Sequence, residues 1–239
     1  MVKEIKRKNI SKTIGIIGGM GPGASAYFYN LLIKKSELNF GARNNDDYPK
    51  ILLSSVPVPD FISDTKNLEK AKTMLTSCIK ELNDSGVSNI GMVCNTAHIL
   101  YQDLVNYTKV NFVSMIEKTA ESCSQKGYKK VGILSTPTTL KFKLYEKALS
   151  KFNIQSIDIN HETLPIQEKI IREVIAGKIN KKQGDVLEKI TKKFIKEYKL
   201  DGVILGCTEL PLVFPKERFT NIVDSLDVLA GELLRGYYL

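Results

Sequence analysis

Val93-Cys94-Asn95-Thr96 closes one buried, strand-like run (Asn89–Cys94), and Gly206-Cys207-Thr208-Glu209 closes another (Gly202–Leu205) 113 residues later. Working back from each cysteine, the same order of segments recurs. Thr13-Ile-Gly-Ile-Ile-Gly18 opens the first series, and Lys130-Val-Gly-Ile-Leu-Ser135 opens the second at an offset of 117 residues. Between these landmarks, helical periodicity alternates with short β-rich runs. Helices are expected at Ala24–Lys35, Leu68–Ser85, Ile116–Lys126, Leu140–Phe152, Pro165–Ala176, Lys181–Tyr198 and Leu226–Arg235. The remaining strands are expected at Ile51–Val56, Asn111–Val113, Lys130–Leu134, Ser156–Ile159 and Asn221–Val223.

Such alternation predicts an α/β fold with parallel sheets covered by helices on both faces. The internal echo divides it into two pseudo-symmetric lobes with a cleft between them. The first lobe takes residues 1–112 plus 220–239 and carries Cys94; the second takes 113–219 and carries Cys207. In parallel sheets, ligand groups gather beyond the C-terminal ends of the strands. Two lobes facing each other therefore set Cys94 and Cys207 on opposite walls of one cleft.

A chain of 239 residues with 43% apolar side chains is long enough for one large domain or two smaller lobes. No apolar run approaches the roughly 20 residues that a membrane-spanning helix needs. The first ten residues, Met1 to Ile10, are charged and read as a short mobile arm rather than a signal peptide, so a cytoplasmic protein is expected. The net charge of +9 comes mostly from lysines scattered along helices, with only five arginines, which is the pattern of solvated helix faces and not of a nucleic-acid interface. That excess of positive charge also favours small anionic substrates.

Cys78, Cys94, Cys123 and Cys207 lack the close spacing of a zinc site or redox pair, and no metal is expected. Cys78 and Cys123 fall inside predicted helices as small packing residues. Cys94 and Cys207 are set apart by their matched contexts. Each follows a buried strand and precedes hydroxyl or amide donors, an environment that favours a reactive thiolate. His98, four residues after Cys94, is either a satisfied helix histidine or a residue that tunes that thiol. The turn Gly18-Gly19-Met20-Gly21-Pro22-Gly23-Ala24 has the lettering of a dinucleotide loop, with Glu37 near the expected ribose contact. Pro22 removes one backbone N–H from such a cradle, so a tight turn whose helix N-terminus faces a carboxylate fits better.

The segments Ile14-Gly-Ile-Ile-Gly-Gly-Met-Gly-Pro22, Cys94-Asn-Thr-Ala-His98, Ser114-Met-Ile-Glu117, Gly206-Cys-Thr-Glu209 and Val223-Asp-Ser-Leu-Asp-Val-Leu229 resemble the aspartate/glutamate racemase family. The resemblance implies an amino-acid racemase that needs no pyridoxal phosphate or other cofactor, and a homodimer. It implies Cys94 and Cys207 as the catalytic pair, with Asn95, Thr96, Thr136, Thr139 and Thr208 holding the substrate's ammonium and α-carboxylate groups and Glu209 a further substrate-binding residue. Met20, Gly21 and Pro22 would line the cleft. Related isomerases (hydantoin racemase, maleate isomerase or arylmalonate decarboxylase types) and a non-catalytic ligand-binding relative remain the alternatives.

Two positions depart from the family's aspartate-specific pattern. Val58-Pro-Asp-Phe61 stands where those members resemble Ile-Pro-Asp-Arg, and Val174-Ile-Ala-Gly177 stands for Val-Lys-Ala-Gly. Phe61 and Ile175 thus occupy the places of two cations that hold a side-chain carboxylate, which points to a neutral substrate side chain. Arg43, Lys141 and Arg172 are the candidate replacements, and no spacing rule puts any of them at the site.

Overall fold

The computed structural model describes residues 12–239; the expected N-terminal arm, Met1 to Ile10, lies outside the described residues. Eight strands form two four-stranded, wholly parallel sheets. The first contains β1 (Thr13–Gly18), β2 (Lys50–Ser55), β3 (Asn89–Met92) and β4 (Asn111–Val113), ordered β2-β1-β3-β4. The second contains β5 (Lys130–Ser135), β6 (Gln155–Asp158), β7 (Gly202–Gly206) and β8 (Ile222–Asp224), ordered β6-β5-β7-β8. The two orders coincide strand for strand, so the echo in the sequence is an echo in topology.

Central β1 reads as an unbroken apolar run because both its faces are covered: Ile14, Ile16 and Ile17 are fully buried. Around the sheets lie α1 (Pro22–Phe40), α2 (Leu68–Asp84), the single turn α3 (Tyr101–Leu104), α4 (Met115–Gln125), α5 (Pro137–Lys141), α6 (Leu144–Ser150), α7 (Leu164–Ile175), α8 (Lys181–Tyr198) and α9 (Ser225–Tyr238). Helix α2 presents Ala71, Leu75, Cys78, Ile79 and Leu82 to the first sheet at helical spacing. Helix α8 does the same for the second with Leu187 and Phe194.

The lobes are tied together by an exchange of helices. After β4 the chain leaves the first sheet, and Ile116, Ala120 and Cys123 of α4 pack with Val131, Ile133 and Tyr145 of the second lobe. After β8 it returns, and Leu226, Leu229, Leu233 and Leu234 of α9 pack on Ile14, Ile16, Phe28 and Leu32. Asp224 fixes the crossing point. Its Oδ1 accepts the N–H of Leu226 at 2.9 Å as the cap of α9, while its Oδ2 pairs with Lys216 at 2.7 Å. The sheet boundary therefore differs from the expected return at residue 220. β8 pairs with β7 through Val203–Ile222 and Ile204–Val223, and only from Ser225 does the chain rejoin the first lobe.

A second difference concerns Leu140–Phe152, expected as one helix. Thr136 caps an earlier start, its hydroxyl accepting the N–H of Thr139, and Pro137 occupies the first turn. Lys143 then adopts φ 54°, which ends α5 and restarts the chain as α6.

If α9 is part of the first lobe's core, Leu229→Ala will cost about 2–5 kcal/mol, as burial without collapse of the cavity requires. Urea unfolding should show a lower midpoint at an unchanged slope. A cost below about 1 kcal/mol would mean that α9 is only loosely docked.

Candidate active site

Parallel pairing directs the C-terminal ends of β1, β3, β5 and β7 toward the junction of the lobes, where a cavity of about 240 Å³ opens. Its walls include Cys94 and Cys207 together, contributed by the first and second lobe respectively. Met20, Gly21, Pro22, Phe61, Asn95, Thr96, Thr136, Ile175, Thr208 and Glu209 also line it. Of the residues expected at the site, Thr139 alone is not in the wall; it stands behind it, 3.0 Å from Thr136 and 3.3 Å from Thr96 through their hydroxyls. Cys78 and Cys123 are buried in α2 and α4, away from the cavity.

Each cysteine is held by the turn that follows its strand. Beyond β3 the chain enters a short helical turn, Thr96–Leu100, and the N–H of Ala97 points at Cys94 Sγ at 3.4 Å. His98 pins this turn. Its Nε2 accepts the N–H of Met115 at 3.1 Å, so Nδ1 carries the proton and donates to the Cys94 carbonyl at 2.8 Å. Burial drives the ring pKa down to about 4, and the imidazole is neutral. His98 thus acts on the backbone of Cys94 and not on its sulfur.

Beyond β7, the Cys207 thiol donates to Glu209 Oε2 at 3.2 Å, and the Thr208 hydroxyl donates to the same oxygen at 2.9 Å. Glu209 Oε1 accepts the N–H of Gly21 at 3.4 Å. The carboxylate facing the start of α1 is therefore the protein's own. This turn needs its glycines. Gly19 has φ 91°, and a Cβ there would lie 2.4 Å from the Val56 carbonyl oxygen; a Cβ on Gly21 would lie 2.6 Å from Glu209 Oε1. The dinucleotide reading fails on the same geometry. Helix α1 runs on to Phe40, so Glu37 is a helix residue that accepts a hydrogen bond from Tyr48 at 2.9 Å.

Sequence context favoured a thiolate at each cysteine, but burial holds both site thiols in the protonated form. Burial, with Glu209 adding to it, pushes Cys94 up to about 12 despite the N–H groups of Ala97 and Thr96. Cys207 is raised as well, by burial and then by Glu209, with Cys94 contributing. Burial likewise raises Glu209 above the usual carboxylate range, against the hydrogen bonds it accepts. Asn95 is tied down on both sides, Oδ1 accepting from Tyr145 at 2.5 Å and Nδ2 donating to Ser225 at 3.1 Å. It braces the turn more than it offers a free amide to the cavity. Thr96 and Thr136 meet across the lobes at 2.9 Å.

The cavity also holds Asp60 and Ile62, which spacing did not single out, and Arg172, one of the three cations named as candidate replacements; Arg43 and Lys141 are not in its wall. Arg172 precedes Ile175 by three residues on α7 and so shares its face. Among the described residues, no three His, Cys, Asp or Glu side chains converge as a metal site, and no helix is long and apolar enough to cross a membrane.

Against known families, residues 17–233 match the sequence profile described as Asp/Glu/Hydantoin racemase. The chain belongs to that family. It is accordingly an isomerase of the racemase type. The broad specificity amino-acid racemase RacX of Bacillus subtilis is 26% identical over 225 residues, covering 94% of this chain and 97% of that one. Aspartate racemase from Picrophilus torridus shares 30% identity and superposes with a TM-score of 0.78, covering 94% of this chain and 93% of its own. An aspartate racemase homologue from Pyrococcus horikoshii shares 29% identity at the same TM-score of 0.78, covering 94% and 98%. The two-lobed α/β architecture of this racemase is thus shared with its solved relatives.

The depressed His98 pKa has a signed consequence for stability. Below about pH 6.5 the unfolded chain takes up a proton that the buried ring refuses until about pH 4. Stability tied to neutral His98 is present above pH 6.5 and lost as pH falls through that window, by roughly 2–4 kcal/mol. Unfolding free energies of the wild type should fall more steeply between pH 6.5 and 4 than those of His98→Gln. Equal slopes would show that the ring titrates normally.

Proposed function

We propose that this amino-acid racemase works by two-base proton transfer between Cys94 and Cys207, on substrates whose side chains carry no negative charge. The observation that carries the reading is that the two thiols line one small cavity from two topologically equivalent strand ends. Inverting a stereocentre through a planar intermediate takes a base on one face and an acid on the other, and two equivalent walls supply one of each.

The raised thiol pKa values suit this role once a substrate binds. An amino acid brings an ammonium group into a cavity that already holds Glu209, and a cation beside a buried thiol stabilises its thiolate. Cys207 already donates its proton toward Glu209, which gives that proton a destination. The thiolate then takes the α-proton as the Cα–H bond breaks. The electron pair left on Cα spreads into the substrate carboxylate, and the opposite thiol forms the new Cα–H bond. Hydroxyls of Thr96, Thr136 and Thr208 are at hand to stabilise the charge that builds on that carboxylate.

Phe61 and Ile175 both line the cavity, which supports the reading that the side-chain subsite lacks the cations of the aspartate-specific pattern. An unpaired carboxylate there is strongly disfavoured.

The test is racemisation in deuterium oxide, started from protiated L-alanine, L-methionine, L-serine, L-leucine, L-aspartate and L-glutamate, after exhaustive dialysis of the protein against a chelator. Early D-product from the neutral substrates should carry deuterium at Cα while the remaining L-substrate keeps protium, as two bases require. Product that retains protium would point to one base serving both faces. Turnover of aspartate faster than every neutral substrate would overturn the specificity reading. Activity restored only by added metal or pyridoxal phosphate would contradict a mechanism resting on the thiols alone.

A further inference from the structure

Among the described residues, one cation stands in the cavity wall, and it is already paired. Arg172, on α7 of the second lobe, donates from Nη1 to Asp60 Oδ2 at 2.8 Å, from Nε to Glu168 Oε1 at 2.9 Å, and from Nη2 to Ser63 Oγ at 2.7 Å. Asp60 and Ser63 lie on the segment between β2 and α2 of the first lobe. Ser63 donates onward to Glu168 at 2.6 Å, and Asp60 is braced by the N–H of Ile62, which reaches its Oδ1 at 2.8 Å. Each of the three guanidinium nitrogens donates one hydrogen bond, and one positive charge is set against two carboxylates.

Asp60 and Arg172 share the cavity wall with Phe61 and Ile175. A substrate with an acidic side chain would bring a third carboxylate to a cation that already has two. Binding it requires either like-charge crowding or the release of Asp60, which then stands unpaired beside the newcomer. A neutral side chain meets Phe61 and Ile175 and leaves the pair intact. We propose that the Asp60–Arg172 pair is the charge selector of this cleft: closed on itself it turns acidic side chains away, and loss of one partner's charge re-aims the other at the substrate. The proposal rests on the racemase reading above and adds the residues that set its substrate class.

Two opposite substitutions test it. Asp60→Asn removes the charge but keeps an oxygen for the Ile62 N–H, and it frees Arg172 to meet an acidic side chain. Arg172→Gln leaves Asp60 facing the cavity without its cation. The quantity read is a ratio of kcat/KM values within each protein, so that a general loss of turnover from a loosened segment cancels. In Asp60→Asn the aspartate-to-alanine ratio should rise about tenfold, equivalent to ~1.4 kcal/mol. In Arg172→Gln the lysine-to-alanine ratio should rise while the aspartate ratio falls further. The half-exposed state of both side chains keeps the expected change to about one decade. Where a variant turns over too slowly, calorimetric titration of the folded protein with the same amino acids reads the same ratios as Kd values. Ratios within twofold of wild type in both variants would overturn the selector while leaving the racemase reading standing. Wild-type protein that exchanges the α-proton of no amino acid would remove the racemase reading, and the selector with it.

Discussion

Parallel pairing sends every strand of a lobe toward the same edge of its sheet, and the position of all the chemistry in this protein follows from it. With the strand orders β2-β1-β3-β4 and β6-β5-β7-β8, the turns after β3 and β7 occupy equivalent places in the two lobes. A residue just beyond each strand faces the space between the lobes, and in both places it is a cysteine. The exchanged helices hold that geometry. Helix α4 carries the first half of the chain onto the second lobe, and α9 carries the second half back. Each lobe's core takes in a helix delivered from beyond its partner's strand, so both walls of the cleft rest on the packing of α4 and α9.

Burial makes the site tunable. A thiol removed from water gives up its proton reluctantly, and both Cys94 and Cys207 are raised for that reason. The same desolvation raises Glu209, which sits within hydrogen-bonding distance of Cys207 and Thr208. Burial therefore favours the neutral thiol at both cysteines. Under the proposed mechanism, a zwitterion entering the cleft changes the field: its ammonium favours a thiolate, and the hydroxyls around it favour a charged carboxylate.

Much of this was legible in the sequence because it depends on order and spacing. The repeat of small-residue turns and of cysteines after buried strands is enough to infer two matched lobes and two cysteines lining one cavity. Element ends were less legible where capping decided them: Thr136 and Pro137 start α5 early, and Asp224 delays the return to the first lobe to Ser225. The role of Glu209 could be placed near the cysteine by adjacency alone, but its bond to the N–H of Gly21 crosses 188 residues of chain. Arg172 was named as a candidate cation, but its pairing with Asp60 was hidden for the same reason. They meet across 112 residues, from an irregular segment of one lobe to a helix of the other, and no local pattern announces such a pair.

The central claim is that each thiol serves one face of the substrate, and the most direct measurement is enantiomer-specific α-proton exchange by single cysteine variants. Cys94→Ser and Cys207→Ser should each lose net racemisation while remaining folded. Each should still wash deuterium into one enantiomer of a neutral amino acid, and the two variants should do so with opposite enantiomers. If either variant racemises at near the wild-type rate, or if both exchange the same enantiomer, the paired-thiol account is contradicted.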